Sequence, residues 1–297
     1  MGPHVIEVDE LTKEYRHFTA VKGLSFKAEP GQVTGFLGPN GAGKTTTISM
    51  ILGLAEPTGG HALVDGKPFR ELDNPATVVG AVLDGGAFHP GRSVRASLDA
   101  TCAAAGLPAS RVDEVIELAG IADVPDRRVG KLSLGMRQRM ALAQGLLGDP
   151  QVLILDEPAN GLDPEGVLWL RNTLRGLAHD HGKTVFLSSH ILSEMQETVD
   201  AVVVIAEGQL VSEFGITELA GGQSVMAAAK DLASLAAAVE KAGGKAEREG
   251  DELRITNLDS AAVGEAALAA GVALNELRVA EADLESRYME LTAGKGR

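Results

Sequence analysis

Residues 33–53, VTGFLGPNGAGKTTTISMILG, constrain this chain more than any other stretch. A short apolar run (33–37) reads as a buried strand, and 45–53 reads as a helix. Between them Gly38 to Thr45 fits the pattern G-x-x-x-x-G-K-[ST]. In the loop of Gly38, Pro39, Asn40, Gly41, Ala42 and Gly43 the glycines let the backbone wrap closely, so that its N–H groups point at phosphate oxygens. The following helix adds the partial positive charge of its N-terminus. Lys44 is placed to reach β- and γ-phosphates, Thr45 to ligate Mg²⁺, and Thr46 to offer a further hydroxyl or amide. The expectation is a phosphate cradle for a nucleotide.

The rest of the chain supplies the sheet that such a loop needs. QVLILD (151–156) and KTVFLSS (183–189) read as two more buried strands, and AVVVIAEGQLV (201–211) as a hairpin. Strands separated by helices argue for a parallel α/β sheet. Residues 5–28 and 61–65 alternate as antiparallel strands do. From about 90 to 148 the pattern is helical, with VRASLDATCAAAG and SRVDEVIELAG each ending at a C-capping glycine. Composition shifts near 215 towards Ala, Glu and Gly. Beyond it the order is strand (223–229), helix (231–242), strand (246–249), strand (252–256), helix (259–270), strand (274–280) and helix (283–292). The expected organisation is a domain over 1–215, with a helical insert at about 90–148, and a small α+β domain over 216–297.

Bulk properties exclude several classes. The formal net charge of −14 and the absence of a basic run argue against nucleic acid. The single cysteine, Cys102, cannot form an intramolecular disulfide and suits a small core or helix-surface position. The N-terminal sequence MGPHVIEVDE has no secretory apolar region and no myristoylation pattern. The longest apolar runs are too short to span a bilayer, so action at a membrane requires a spanning partner.

VLILDEPANGLDP (152–164) brings acidic chemistry to the end of a strand. Asp156 is placed to hold Mg²⁺ directly or through water. Glu157 can polarise or deprotonate an attacking water. KLSLGMRQRMALAQGLL (131–147) puts Ser133 at a helix N-cap with Gly135 beside it. That start suits a plain cap, or a second anion site. One nucleotide needs one phosphate cradle, so a second cradle would serve the nucleotide of another copy of the chain.

Taken in order, these motifs resemble the nucleotide-binding subunit of an ABC transporter. GPNGAGKTT matches the family's Walker A motif, LSLGMRQR its signature, VLILDEP its Walker B strand and glutamate, NGLDP (160–164) its D-loop, and LSSH (187–190) its switch histidine. The resemblance covers about 5–215 and implies a P-loop ATPase domain with a mixed core sheet, an antiparallel β part and a helical insert. It implies ATP and Mg²⁺ as ligands and ATP hydrolysis as the activity. Tyr15 would stack on adenine, Asp163 would run along a dimer interface, and His190 would contact the γ-phosphate. Ser133 and Gly135 of one copy would complete the site around Lys44 of the other. The partners implied are a second copy and a separate membrane permease, received near 80–95, with the chain cytoplasmic at the inner face of the membrane.

Two departures stand out. Asp84 occupies the place of a family glutamine, where it can accept Mg²⁺ but, ionised, donates no hydrogen bond. Leu134 and Met136 replace the common Gly and Gln of the signature. This variant resembles the drug- and antibiotic-export branch, as does the tail EADLESRYMELT (281–292). ABC-type repair proteins would need a long coiled coil before the signature, translation-type members usually carry two cassettes, and a P-loop kinase or GTPase would not need LSLGMRQR.

Overall fold

A computed structural model describes residues 5–83, 88–191, 195–216 and 224–280. One compact unit runs to Glu213 and a second begins at Phe214. In the first unit, the strands β1 (Ile6–Tyr15), β2 (Phe18–Ala28) and β4 (Gly59–Val64) form an antiparallel sheet in the order β2-β1-β4. The core sheet uses β3 (Val33–Leu37), β5 (Val79–Val82), β6 (Val152–Leu155), β7 (Thr184–Ser189), β8 (Ala201–Ala206) and β9 (Gln209–Gly215), ordered β5-β6-β7-β3-β8-β9. Its first five strands run parallel. β3, β6 and β7 are buried along their whole length, which is why they read as continuous apolar runs rather than as alternation. β8 and β9 turn through Glu207 and Gly208, both at positive φ, as a two-residue hairpin loop requires.

The helices follow their caps. α1 (Lys44–Ile51) follows the glycine-rich loop, and a short α2 (Pro75–Val78) leads into β5. α3 (Val94–Ala104), α4 (Ser110–Leu118) and α5 (Leu134–Gly145) form the helical segment, with Ser93 and Ser133 capping α3 and α5. α6 (Pro164–Arg175) starts on proline after the cap Asp163, whose carboxylate accepts from the Gly166 amide at 2.9 Å. Cys102 is buried in α3, the core position of the two expected for it.

The two sheets are joined by three phenylalanines. The ring of Phe186 on β7 lies 5.5 Å from Phe26 on β2 and 5.3 Å from Phe36 on β3, and Phe26 and Phe36 are 5.3 Å apart. All three are buried in one apolar cluster that includes Ile6, Ile48 and Ile154. Aromatic pairs at this spacing add to their area burial.

The second unit is a four-stranded antiparallel sheet with two helices. Its chain order is β10 (Ser224–Ala229), α7 (Leu232–Lys241), β11 (Lys245–Glu249), β12 (Glu252–Thr256), α8 (Ser260–Ala269), β13 (Leu274–Ala280). The strand order β11-β12-β10-β13 makes this a ferredoxin-like βαββαβ arrangement. Val225, Leu235, Val239, Leu253, Ile255 and Val263 form its own core. Asp231 caps α7, and hydrogen bonds from the Ser234 hydroxyl and amide hold its carboxyl below the usual carboxylate range. The sequence-based order of elements agrees with this unit through 280. The expected helix at 283–292 lies outside the described residues.

Phe186→Ala empties the contact between the sheets. It is expected to lower stability by about 3–5 kcal/mol, read as a shifted midpoint in urea unfolding.

Candidate functional site

Because β6, β7 and β3 are parallel neighbours, their carboxyl ends lie side by side. Leu155 pairs with Leu187, and Leu37 with Ser189. The residues that follow these strands, Asp156–Glu157, His190 and the loop from Gly38, therefore emerge at one edge. An open cleft of about 470 Å³ is lined there by Phe18, Ala20, Asn40, Gly41, Gly43, Lys44, Thr45, Thr46, Glu157, Asn160 and His190.

The loop needs its glycines. Gly43 sits at φ +105, and a Cβ there would come 2.6 Å from the Ala20 carbonyl oxygen. Unlike α3, α5 and α6, α1 has no side-chain cap, and its first turn holds no acidic residue. The first amides of the helix are thus not engaged by a capping side chain, which suits an anionic ligand.

Lys44 is 6% exposed, with Nζ donating to the Gly38 carbonyl at 2.7 Å and the Pro39 carbonyl at 3.3 Å. The same ammonium lies 3.2 Å from Glu157 Oε1. The other oxygen of Glu157, Oε2, is 2.6 Å from His190 Nδ1. Glu157 holds φ +50, a left-handed conformation uncommon for a residue with a side chain and immediately before Pro158. Its amide donates to Ser188 Oγ at 2.9 Å, and Ser188 Oγ donates to Asp156 Oδ1 at 2.5 Å. Asp156 Oδ2 accepts from Thr45 Oγ1 at 2.8 Å. Adjacent ligands of an octahedral Mg²⁺ with ~2.1 Å bonds stand about 3 Å apart. The Thr45 and Asp156 oxygens fit that geometry.

Of the residues singled out in the sequence, Asn40, Gly41, Gly43, Lys44, Thr45, Thr46, Glu157 and His190 line the cleft, and Asp156 touches Thr45 beside it. Tyr15 is not in the lining. It is 45% exposed and stacks at 5.2 Å on Phe18, which does line the cleft. Ser133, Gly135 and Asp163 are not in the lining either. Ser133 accepts from the Met136 amide at 3.2 Å and is exposed, as is Asp163. Asp84 lies outside the described residues, as do 85–87 of the expected permease groove. The sequence analysis did not single out Phe18, Asn160 or Ser188. For Ser188 the available signal was a polar residue closing an apolar strand beside an acidic one.

A parallel sheet carrying a glycine loop, a strand-end carboxylate pair and a histidine at one edge defines a P-loop nucleoside triphosphatase. Residues 21–160 match the ABC transporter family, and residues 223–285 match a domain of unknown function. The bacitracin transport ATP-binding protein BcrA of Bacillus licheniformis is 40% identical over 217 residues, 72% of this chain and 71% of its own. The uncharacterized ABC transporter ATP-binding protein YhcH of Bacillus subtilis is 34% identical over 292 residues, 97% of this chain and 96% of its own. The structure of cbiO1 from Clostridium perfringens, part of the ABC transporter complex cbiONQ, superposes with a TM-score of 0.65 at 30% identity, over 73% of this chain and 91% of that one. The chain belongs to the ABC transporter ATP-binding proteins: it is an ATP-binding subunit and an ATPase.

Ser188 holds both the Asp156 carboxylate and the backbone of Glu157. Ser188→Ala is expected to lower ATP turnover about 10–100-fold, as loss of a group orienting a ligating carboxylate does, with the unfolding midpoint nearly unchanged. A rate within twofold of the wild type would show that Ser188 orients nothing that matters.

Proposed function

We propose that two copies of this chain pack head to tail around two ATP–Mg²⁺ and drive a separate membrane permease that exports a drug- or antibiotic-like compound. One observation carries the dimer. The cleft contains Lys44, Glu157 and His190, while the capped helix start at Ser133 and Gly135 lies outside its lining and Ser133 faces solvent. A second copy turned head to tail would bring those groups over the γ-phosphate, with Asp163 along the contact.

In the proposed mechanism the loop residues Gly38 to Gly43, with the amides at the start of α1 and the Thr46 side chain, hold the phosphates. Lys44 exchanges its contacts to Gly38, Pro39 and Glu157 for phosphate oxygens. Thr45 and Asp156 would hold Mg²⁺, which would supply positive charge against the phosphates. Glu157, kept in place by Ser188 and His190, takes the proton of the attacking water, and His190 contacts the γ-phosphate. Catalysis is mainly positioning and electrostatic stabilisation. Tyr15 and Phe18 together offer an aromatic surface to the adenine. Asp84, at the family's glutamine position, would add an acceptor for the metal.

No helix among the described residues is long and apolar enough to cross a membrane. Export is supported by the similarity to a bacitracin transport ATP-binding protein. The second unit is assigned as an accessory domain.

Glu157→Gln is expected to reduce hydrolysis about 10²–10⁴-fold and to accumulate an ATP-bound dimer, seen as a doubled mass on sizing with ATP and Mg²⁺. Tagged and recovered from native membranes, this variant is expected to bring down a polytopic membrane protein. Recovery of ribosomes or DNA instead, with the dimer formed, would overturn the transport reading. Chelation with EDTA is expected to abolish turnover in the wild type, and undiminished turnover would rule out the Mg²⁺ site.

A further inference from the structure

Leu134 departs from the usual signature, and it stands at the first position of α5, 43% exposed. Its contact is specific. The Cδ2 methyl of Leu134 fills the space that any side chain at position 161 would need, and Gly161 itself sits at φ +73. One residue on, Gly135 faces Leu162, with 3.7 Å between its would-be Cβ and the leucine Cδ2. Further along, the Arg139 guanidinium on α5 lies 4.0 Å over the Trp169 ring on α6. α5 and the segment 160–169 are therefore joined at three points.

The loop under Leu134 leads to the cleft. The Leu162 amide donates to the Ala159 carbonyl at 3.1 Å, and the Asn160 amide to the Glu157 carbonyl at 3.2 Å. Asn160 itself lines the cleft. A continuous series of contacts thus runs from the exposed helix start to the backbone of Glu157.

We propose that Leu134 is a positioning residue that latches the start of α5 to the loop 160–162, so that nucleotide engaged by Ser133 in the partner's cleft sets Glu157 in the chain's own cleft. The proposal rests on the head-to-tail dimer. A glycine at 134 would leave no side chain on Gly161, and the helix start would lose the one of the three contacts that lies beside Ser133. With the leucine that contact would pass a shift of the helix start to the loop, and the two ATP sites would share a coupling free energy.

The test is steady-state ATPase kinetics of the full-length wild type, Leu134→Ala and Leu134→Met. The wild type is expected to respond to ATP with a Hill coefficient near two, the number of sites. Leu134→Ala is expected to bring it to about one, with ATP affinity at a single cleft, thermal midpoint and dimer formation in the Glu157→Gln background retained. Leu134→Met, which can still reach Gly161, is expected to restore cooperativity. Leu162→Ala is expected to act like Leu134→Ala, and the double variant to add nothing. A lower kcat with unchanged cooperativity in Leu134→Ala would reduce Leu134 to ordinary packing and overturn the proposal. A wild type that forms the dimer without cooperativity overturns it as well. Failure of Glu157→Gln to dimerise with ATP overturns the dimer itself, and the latch with it.

Discussion

Everything at the cleft depends on three parallel strands ending in step. β6, β7 and β3 are neighbours, and the ladder continues past them, with the Asp156 amide donating to the Val82 carbonyl at 2.9 Å. Side chains alternate along a strand, so a slip of one residue turns every one of them to the other face. With the observed register Ser188 reaches both Asp156 and the Glu157 amide; a one-residue slip of β7 would put Ser188 on the opposite face and break both contacts. The phenylalanine contact between the two sheets fixes β7 and β3 from beneath, so packing far from the cleft sets the geometry within it.

Glu157 shows what that fixation is used for. A residue with a side chain held in the left-handed region stores about 1–3 kcal/mol and persists only where its surroundings over-determine it. Here Ser188 holds its amide, Lys44 one carboxylate oxygen and His190 the other. In that conformation the carboxylate meets Lys44 at the end of the loop and His190 after β7. It is an alignment that the pattern VLILDEP could suggest in chemistry but not in angle.

The division between what was and was not legible in the sequence follows the range of the interactions. Strands β3, β6 and β7, the helix after the loop and the elements of the second unit were readable because apolar periodicity, caps and glycine stops are local signals. The second unit's strand order was not, since spacing alone does not say that β10 lies between β12 and β13. The same holds for the site. Lys44, Thr45, Asp156, Glu157 and His190 are picked out by their motifs. Ser188 acts across 32 residues on Asp156, and Leu134 meets a glycine in a different loop. Phe18 falls in the alternating stretch 5–28, with no local signal that it lines the cleft.

Charge adds a final constraint. The chain carries −14 overall, and the cleft region sets Asp156 and Glu157 against one buried lysine. A carboxylate left about 4 Å from a phosphate charge costs on the order of 4 kcal/mol at an effective dielectric of ~20. Backbone amides and Lys44 can offset part of that, but not two carboxylates facing a triphosphate. The Thr45–Asp156 oxygen pair, spaced as two ligands of one octahedral cation, would turn one of those repulsions into an attraction. The other carboxylate, Glu157, is held by Lys44 until phosphate competes for the ammonium. On the proposed mechanism, the arrival of the nucleotide is what releases Glu157 to act as a base.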